Sequence, residues 1–210
     1  SVMSVDTVLP IAAISVAANG CVAVMLEDGN TQYIDMYDTA GDKAYRIKTN
    51  ISGNGIPMSI SISNDAVKLM VAYTDIENND ISTSIAFYNF GEVGKNMSER
   101  LVGGFDQYDG MLVPKVQFLT ADTAIAVATG KLSIYSITQY PKLMTDIVFD
   151  NELHGIFYSS KYIGLIFPNH ESGYPYRILV YDLKGNLTGT IPVATDYKKY
   201  CFVLHKNQNL

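Results

Sequence analysis

A chain of 210 residues with 48% apolar and 17% charged side chains can build one globular core, burying roughly 70% of the surface its unfolded form exposes, and is too apolar for global disorder. Its formal charge of −6 repels phosphate backbones over the surface as a whole, which argues against nucleic acid as a partner. No window has the roughly 18–20 apolar residues that a helix needs to cross a bilayer, so no membrane insertion is expected of this segment.

Taken in chain order, the β-rich runs are strand-sized and fall into four units, each read as strands A to D from the inside outward. The first unit predicts strands over 11–16, 21–26, 31–37 and 43–48, and the second over 57–62, 68–73, 82–90 and 99–103. The third covers 115–119, 123–128, 131–137 and 143–149, the fourth 153–158, 162–167, 176–181 and 187–193, and one further strand over 200–205 has no partner in sequence. Strand C repeats a motif of apolar β-formers leading into tyrosine, as in Tyr33-Ile-Asp-Met-Tyr-Asp-Thr-Ala-Gly41 and Arg177-Ile-Leu-Val-Tyr-Asp-Leu-Lys-Gly185. The tyrosines Tyr37, Tyr88, Tyr135 and Tyr181 are 51, 47 and 46 residues apart. A recurrence at that period marks an all-β fold of radial sheets, a β-propeller of about four four-stranded blades, 11–48, 57–103, 115–149 and 153–193, within a single domain 1–210.

Connections divide by face. The A-to-B corners are tight and the C-to-D corners mostly short, although 92–98 is longer. The B-to-C and D-to-A connections over 49–56, 74–81, 104–113, 168–175 and 194–199 read as longer loops. Function concentrates on loops held by a rigid scaffold, so ligand-binding residues are sought there: Asp75, Glu77 and Asp80 in one loop, His170, Glu171, Tyr174 and Tyr176 in the other.

Oxygen ligands at Asp75, Glu77 and Asn79 begin as a calcium loop does, but the glycine and distal glutamate of an EF-hand are missing, and a solvated charged loop accounts for them as well. His154, His170 and His205 stand apart, without a second ligand at metal-binding spacing. Cys21 and Cys201 are too few for a metal site or a disulfide scaffold, leaving free thiols or a single bridge. No Gly-x-Ser-x-Gly elbow is present, no catalytic residue is assigned, and neither cofactor nor metal is expected.

The segments Pro57-Met-Ser-Ile-Ser-Ile-Ser-Asn-Asp65, Ile85-Ala-Phe-Tyr-Asn-Phe90, Pro114-Lys-Val-Gln-Phe-Leu119, Leu132-Ser-Ile-Tyr-Ser136, Phe157-Tyr-Ser-Ser-Lys-Tyr-Ile-Gly164 and Val180-Tyr-Asp-Leu-Lys-Gly185 together resemble a bacterial family of unknown function built as envelope-anchored propellers. That resemblance implies an extracytoplasmic location, an anchor and further blades preceding this region, and a chain that is the carboxy-terminal portion of a larger propeller. WD40-type and quinoprotein-type propellers share the architecture, but their tryptophan motifs are absent here, so neither activity transfers. The expected function is a non-catalytic module that binds a protein or envelope polymer through its longer-loop face. Two other readings stay open: a carbohydrate-active hydrolase or lyase with acids at the central channel, and a purely structural part of a larger propeller. Exposed blade flanks also make a homodimer possible.

Overall fold

The computed structural model describes residues 4–50, 55–77, 80–170 and 173–194. Among the described residues sixteen strands form four antiparallel four-stranded sheets, each in simple order. The first contains β1 (Ile11–Val16), β2 (Val22–Asp28), β3 (Thr31–Tyr37) and β4 (Lys43–Asn50). The second contains β5 (Ile56–Ile62), β6 (Lys68–Glu77), β7 (Asp80–Asn89) and β8 (Leu101–Asp109), and the third β9 (Lys115–Phe118), β10 (Thr123–Ala128), β11 (Lys131–Ser136) and β12 (Lys142–Val148). The fourth contains β13 (Gly155–Tyr158), β14 (Tyr162–Pro168), β15 (Tyr176–Asp182) and β16 (Leu187–Val193). These are the four blades of an all-β propeller fold. Among the described residues the only helical element is a 3₁₀ turn, Ser98–Arg100. The predicted strand over 200–205 lies outside the described residues, as does Cys201, while Cys21 is a half-buried free thiol.

The chain forms two compact units, 1–129 with 135–142, and 130–134 with 143–210. In the first unit, alternation along the strands sends one set of side chains of each blade toward its neighbour. Ala23, Met25, Ile34, Met36 and Ile47 of the first blade share a core with Ile62, Leu69, Val71, Tyr73 and Tyr88 of the second. The opposite face of the first blade, Val24, Leu26 and Tyr37, is covered by Val5 and Leu9. In the second unit, Ile166, Ile178, Val180 and Val193 pack with Phe157, Tyr162 and Tyr176.

The repeated motif has two structural jobs. In the first three blades its tyrosine is buried with a partner for its hydroxyl: Tyr37 donates to Asp35 Oδ2 at 3.2 Å, Tyr88 pairs with the Tyr73 hydroxyl at 2.9 Å, and Tyr135 pairs with that of Tyr108, whereas Tyr181 of the fourth is half-buried. Such pairing removes the penalty of burying an unsatisfied hydroxyl. In the first and fourth blades an acid follows the tyrosine and closes the turn. Asp38 Oδ1 accepts from the amides of Ala40 and Asp42 at 2.9 and 3.0 Å, and Asp182 Oδ1 accepts from Lys184 and Asn186 at 2.8 and 2.9 Å. Gly41 and Gly185 then take φ of 91° and 86°, which a β-carbon disfavours.

Serines join the innermost strands of the first unit. The Ile62 amide donates to Ser15 Oγ at 3.0 Å, and those of Val116 and Phe118 donate to Ser59 and Ser61 Oγ at 3.1 and 2.8 Å. The first blade thus satisfies an edge amide of the second, and the second two of the third, which the sheet ladder alone leaves open. Lys68, 5% exposed, adds a second link where its ammonium donates to Asp122 Oδ1 at 2.9 Å and the Ala121 carbonyl at 3.0 Å.

Three expectations change. Of the expected loop 74–81, residues 74–77 and 80–81 are strand: β6 and β7 continue in register through Asp75↔Ser82, Ile76↔Ile81 and Glu77↔Asp80. The outer strand of the second blade is not 99–103 but Leu101–Asp109, so most of the expected loop 104–113 is also sheet. The longer-loop face is correspondingly reduced, because β2 to β3 and β10 to β11 also turn over two residues. A long connection, 90–100, lies at the opposite, C-to-D end.

Candidate functional site

The extended β6, β7 and β8 build a groove of about 390 Å³ at the B-to-C end of the second blade. Asp75, Ser82 and Asp109 form one cross-strand row, since Ser82 pairs with Asp75 on one side and Asp109 on the other. Tyr73, Ser84, Asp106 and Gln107 complete the walls. Among the described residues three carboxylates and no cation line the groove, so its local potential is negative and its chemistry is that of a hydrogen-bond acceptor surface.

The base is tied down. Thr83 Oγ1 donates to the Met111 carbonyl at 2.8 Å and lies 3.1 Å from Thr74 Oγ1, and the Gly110 amide donates to the Ile81 carbonyl at 2.7 Å. These contacts fix the hairpin to the connection after β8. Burial and the neighbouring Tyr88 push the Tyr73 phenol well above its ordinary value of 10.0, so it remains a neutral hydroxyl.

Of the residues picked from sequence whose side chains are described, only Asp75 lines this groove. Asp80 is exposed on the hairpin, where its backbone pairs with Glu77. His170 and Tyr174 are exposed in the connection between β14 and β15, within the second unit, and Glu171 lies outside the described residues. Tyr176 is half-buried, its ring 5.4 Å from that of His154, and so is less available than expected. Asp106 and Asp109 were missed because 104–113 reads as loop, although the alternation Phe105-Asp-Gln-Tyr-Asp109 carries a strand signal. Among the described residues no three His, Cys, Asp or Glu side chains gather as metal ligands.

A second polar cluster lies on the first blade. Asp35, fully covered, accepts from Arg46 Nε and Nη2 at 2.6 and 2.7 Å, from Lys43 Nζ at 3.3 Å and from the Tyr37 hydroxyl. Burial raises the Asp35 carboxyl, but the hydrogen bonds and charges of Arg46 and Lys43 outweigh it and hold the group below its ordinary 3.8. Both oxygens of this carboxylate are engaged from within the blade, so the cluster reads as a structural tie.

The model for the family of unknown function DUF5711 matches residues 1–208. The chain belongs to that family. No curated protein matches the DUF5711 chain. Among solved structures it is similar to Sqt1 from Saccharomyces cerevisiae, at 12% identity and a TM-score of 0.57 over 88% of this chain and 48% of that one. It is also similar to the β-propeller domain of the trilobed protease from Pyrococcus furiosus, at 8% identity and a TM-score of 0.56 over 88% and 57%. The Kuenenia stuttgartiensis hydrazine synthase matches at 12% identity and a TM-score of 0.52, over 91% and 52%. These likenesses carry the propeller fold alone. The DUF5711 chain spans about half the length of the solved structures it matches.

Proposed function

We propose that this chain is a non-catalytic propeller module, displayed outside the cytoplasm, that recognises a protein or envelope polymer through the acid-lined groove of its second blade. The observation that supports this reading is the Asp75–Ser82–Asp109 row with Asp106 and Gln107 beside it, a set of acceptors with no cation among the lining residues. It suits a partner rich in hydrogen-bond donors, such as sugar hydroxyls or the ammonium groups of a basic segment, and disfavours polyanions. Rigid strands hold these side chains, which keeps the ordering cost of binding low.

The test is binding of the purified chain to fractionated envelope polysaccharide and envelope proteins. Wild type is retained, whereas Asp75→Asn with Asp109→Asn loses retention. Equal retention of both proteins contradicts the reading.

A second reading draws on the same row. Asp75 and Asp109 stand two strands apart, about 9.5 Å between backbones, near the upper end of the separation of roughly 6.5–9.5 Å between carboxyls of inverting glycosidases. Release of reducing ends from an envelope polysaccharide, abolished by either substitution, would favour a hydrolase over a binding module.

A further inference from the structure

At the C-to-D end of the same unit, the connection 90–100 meets β4 and encloses a pocket of about 310 Å³, within the range of roughly 300–1,000 Å³ usual for small-molecule sites. Its floor is aromatic: the rings of Tyr45 and Phe90 lie 4.8 Å apart at 34°. Its rim is cationic. The Arg100 guanidinium sits 5.0 Å from the Tyr45 ring centroid, and Lys48 is exposed with no ion pair among the described residues. Arg46 also lines the pocket but is engaged with Asp35, and among the described residues Glu99 is the one carboxylate lining it.

The backbone is distorted where it delivers Arg100. Glu99 and Arg100 take successive φ of 50° and 63°, a left-handed conformation that residues other than glycine avoid. Strain of this kind persists where the surroundings enforce it and clusters at ligand sites. Here the enforcement is visible. The Arg100 amide donates to the Met97 carbonyl at 3.2 Å, and its Nη1 donates to the Phe90 carbonyl at 3.2 Å, leaving further guanidinium donors free to face a ligand.

We propose that this pocket binds a small organic anion, a carboxylate or phosphate carried on a flat apolar body. The body lies on Tyr45 and Phe90, and Arg100 and Lys48 hold the charged group. The site is a local cationic exception on a chain of net charge −6, and it is separate in residues and in sign from the groove of the second blade.

The test is calorimetric and NMR titration of the full chain at low salt with phenyl phosphate, benzoate, inorganic phosphate and the neutral benzyl alcohol. Phenyl phosphate or benzoate binds saturably and shifts the Tyr45 and Phe90 ring resonances, and whichever binds more tightly identifies the charged group. Arg100→Met and Lys48→Met each weaken it about tenfold, as expected when a hydrogen bond to a charged group is lost, while Asp109→Asn leaves it unchanged. Lys48 is exposed, so its variant keeps the fold even if that of Arg100 does not. Absence of saturation at about 10 mM, equal binding of benzyl alcohol, or unchanged binding in the Lys48 variant overturns the proposal. Inorganic phosphate binding as tightly as phenyl phosphate overturns the aromatic half of it.

Discussion

Removing Ser61 Oγ should loosen the joint between the second and third blades at one identifiable amide. The Phe118 N–H donates to that oxygen at 2.8 Å, and Ser61 is 1% exposed, so Ser61→Ala leaves a buried donor with no water to replace its partner. An unsatisfied buried group costs about 1–3 kcal/mol, which for a chain of this size lowers the melting temperature by roughly 2–12 °C. The assay pairs urea or thermal unfolding with hydrogen exchange read at Phe118. Ser61→Ala should lower the midpoint and accelerate exchange there, while Ser61→Thr, which keeps the hydroxyl, should restore both. Unchanged Phe118 exchange in Ser61→Ala would refute the idea that serines complete the inner edges.

Arg46→Met should destabilise the first blade by about 1.5–3 kcal/mol through lost charged hydrogen bonds to Asp35, seen as a lower urea midpoint. Because the folded Asp35 carboxyl lies below its unfolded value of 3.8, its contribution is present above that pH and is lost as pH falls through the folded value. Asp35→Asn should therefore flatten the acid limb of a stability-against-pH curve below about pH 4, and an identical acid limb would refute this. Gly94→Ala should cost about 1–3 kcal/mol by overpacking, since a β-carbon there would collide with the Asn89 carbonyl oxygen, and thermal unfolding checks it. Asp75→Asn and Asp109→Asn, both exposed, should change stability by less than about 0.5 kcal/mol while abolishing polymer retention.

The strands most legible in the sequence were those with uniform apolar character and clear turns. The tyrosine repeat located strand C in all four blades, although the signature differs among them: a buried phenol with a fixed partner in the first three, and an aspartate-closed turn in the first and fourth. The second blade was harder. Asp75, Glu77 and Asp80 look like loop residues, yet their backbones pair across an extended hairpin, since strand preference follows neighbours more than composition. Gly103 and Gly104 suggested a strand end, but they mark close approach: a β-carbon at Gly103 would lie 2.7 Å from Pro141 Cγ, and one at Gly104 3.1 Å from the Ile85 carbonyl oxygen. Missing that strand hid Asp106 and Asp109, and with them the partners of Asp75. The pocket around Arg100 was illegible for another reason. It joins residues about 50 positions apart through a backbone conformation that no local pattern announces.

Recognition by the second blade is tested most directly by hydrogen–deuterium exchange on the chain with and without a retained envelope polymer. The account predicts slowed exchange confined to the segments around 73–75, 82–84 and 106–109, and no slowing in the Asp75→Asn, Asp109→Asn double variant. Protection elsewhere, with those three segments unaltered, would contradict it.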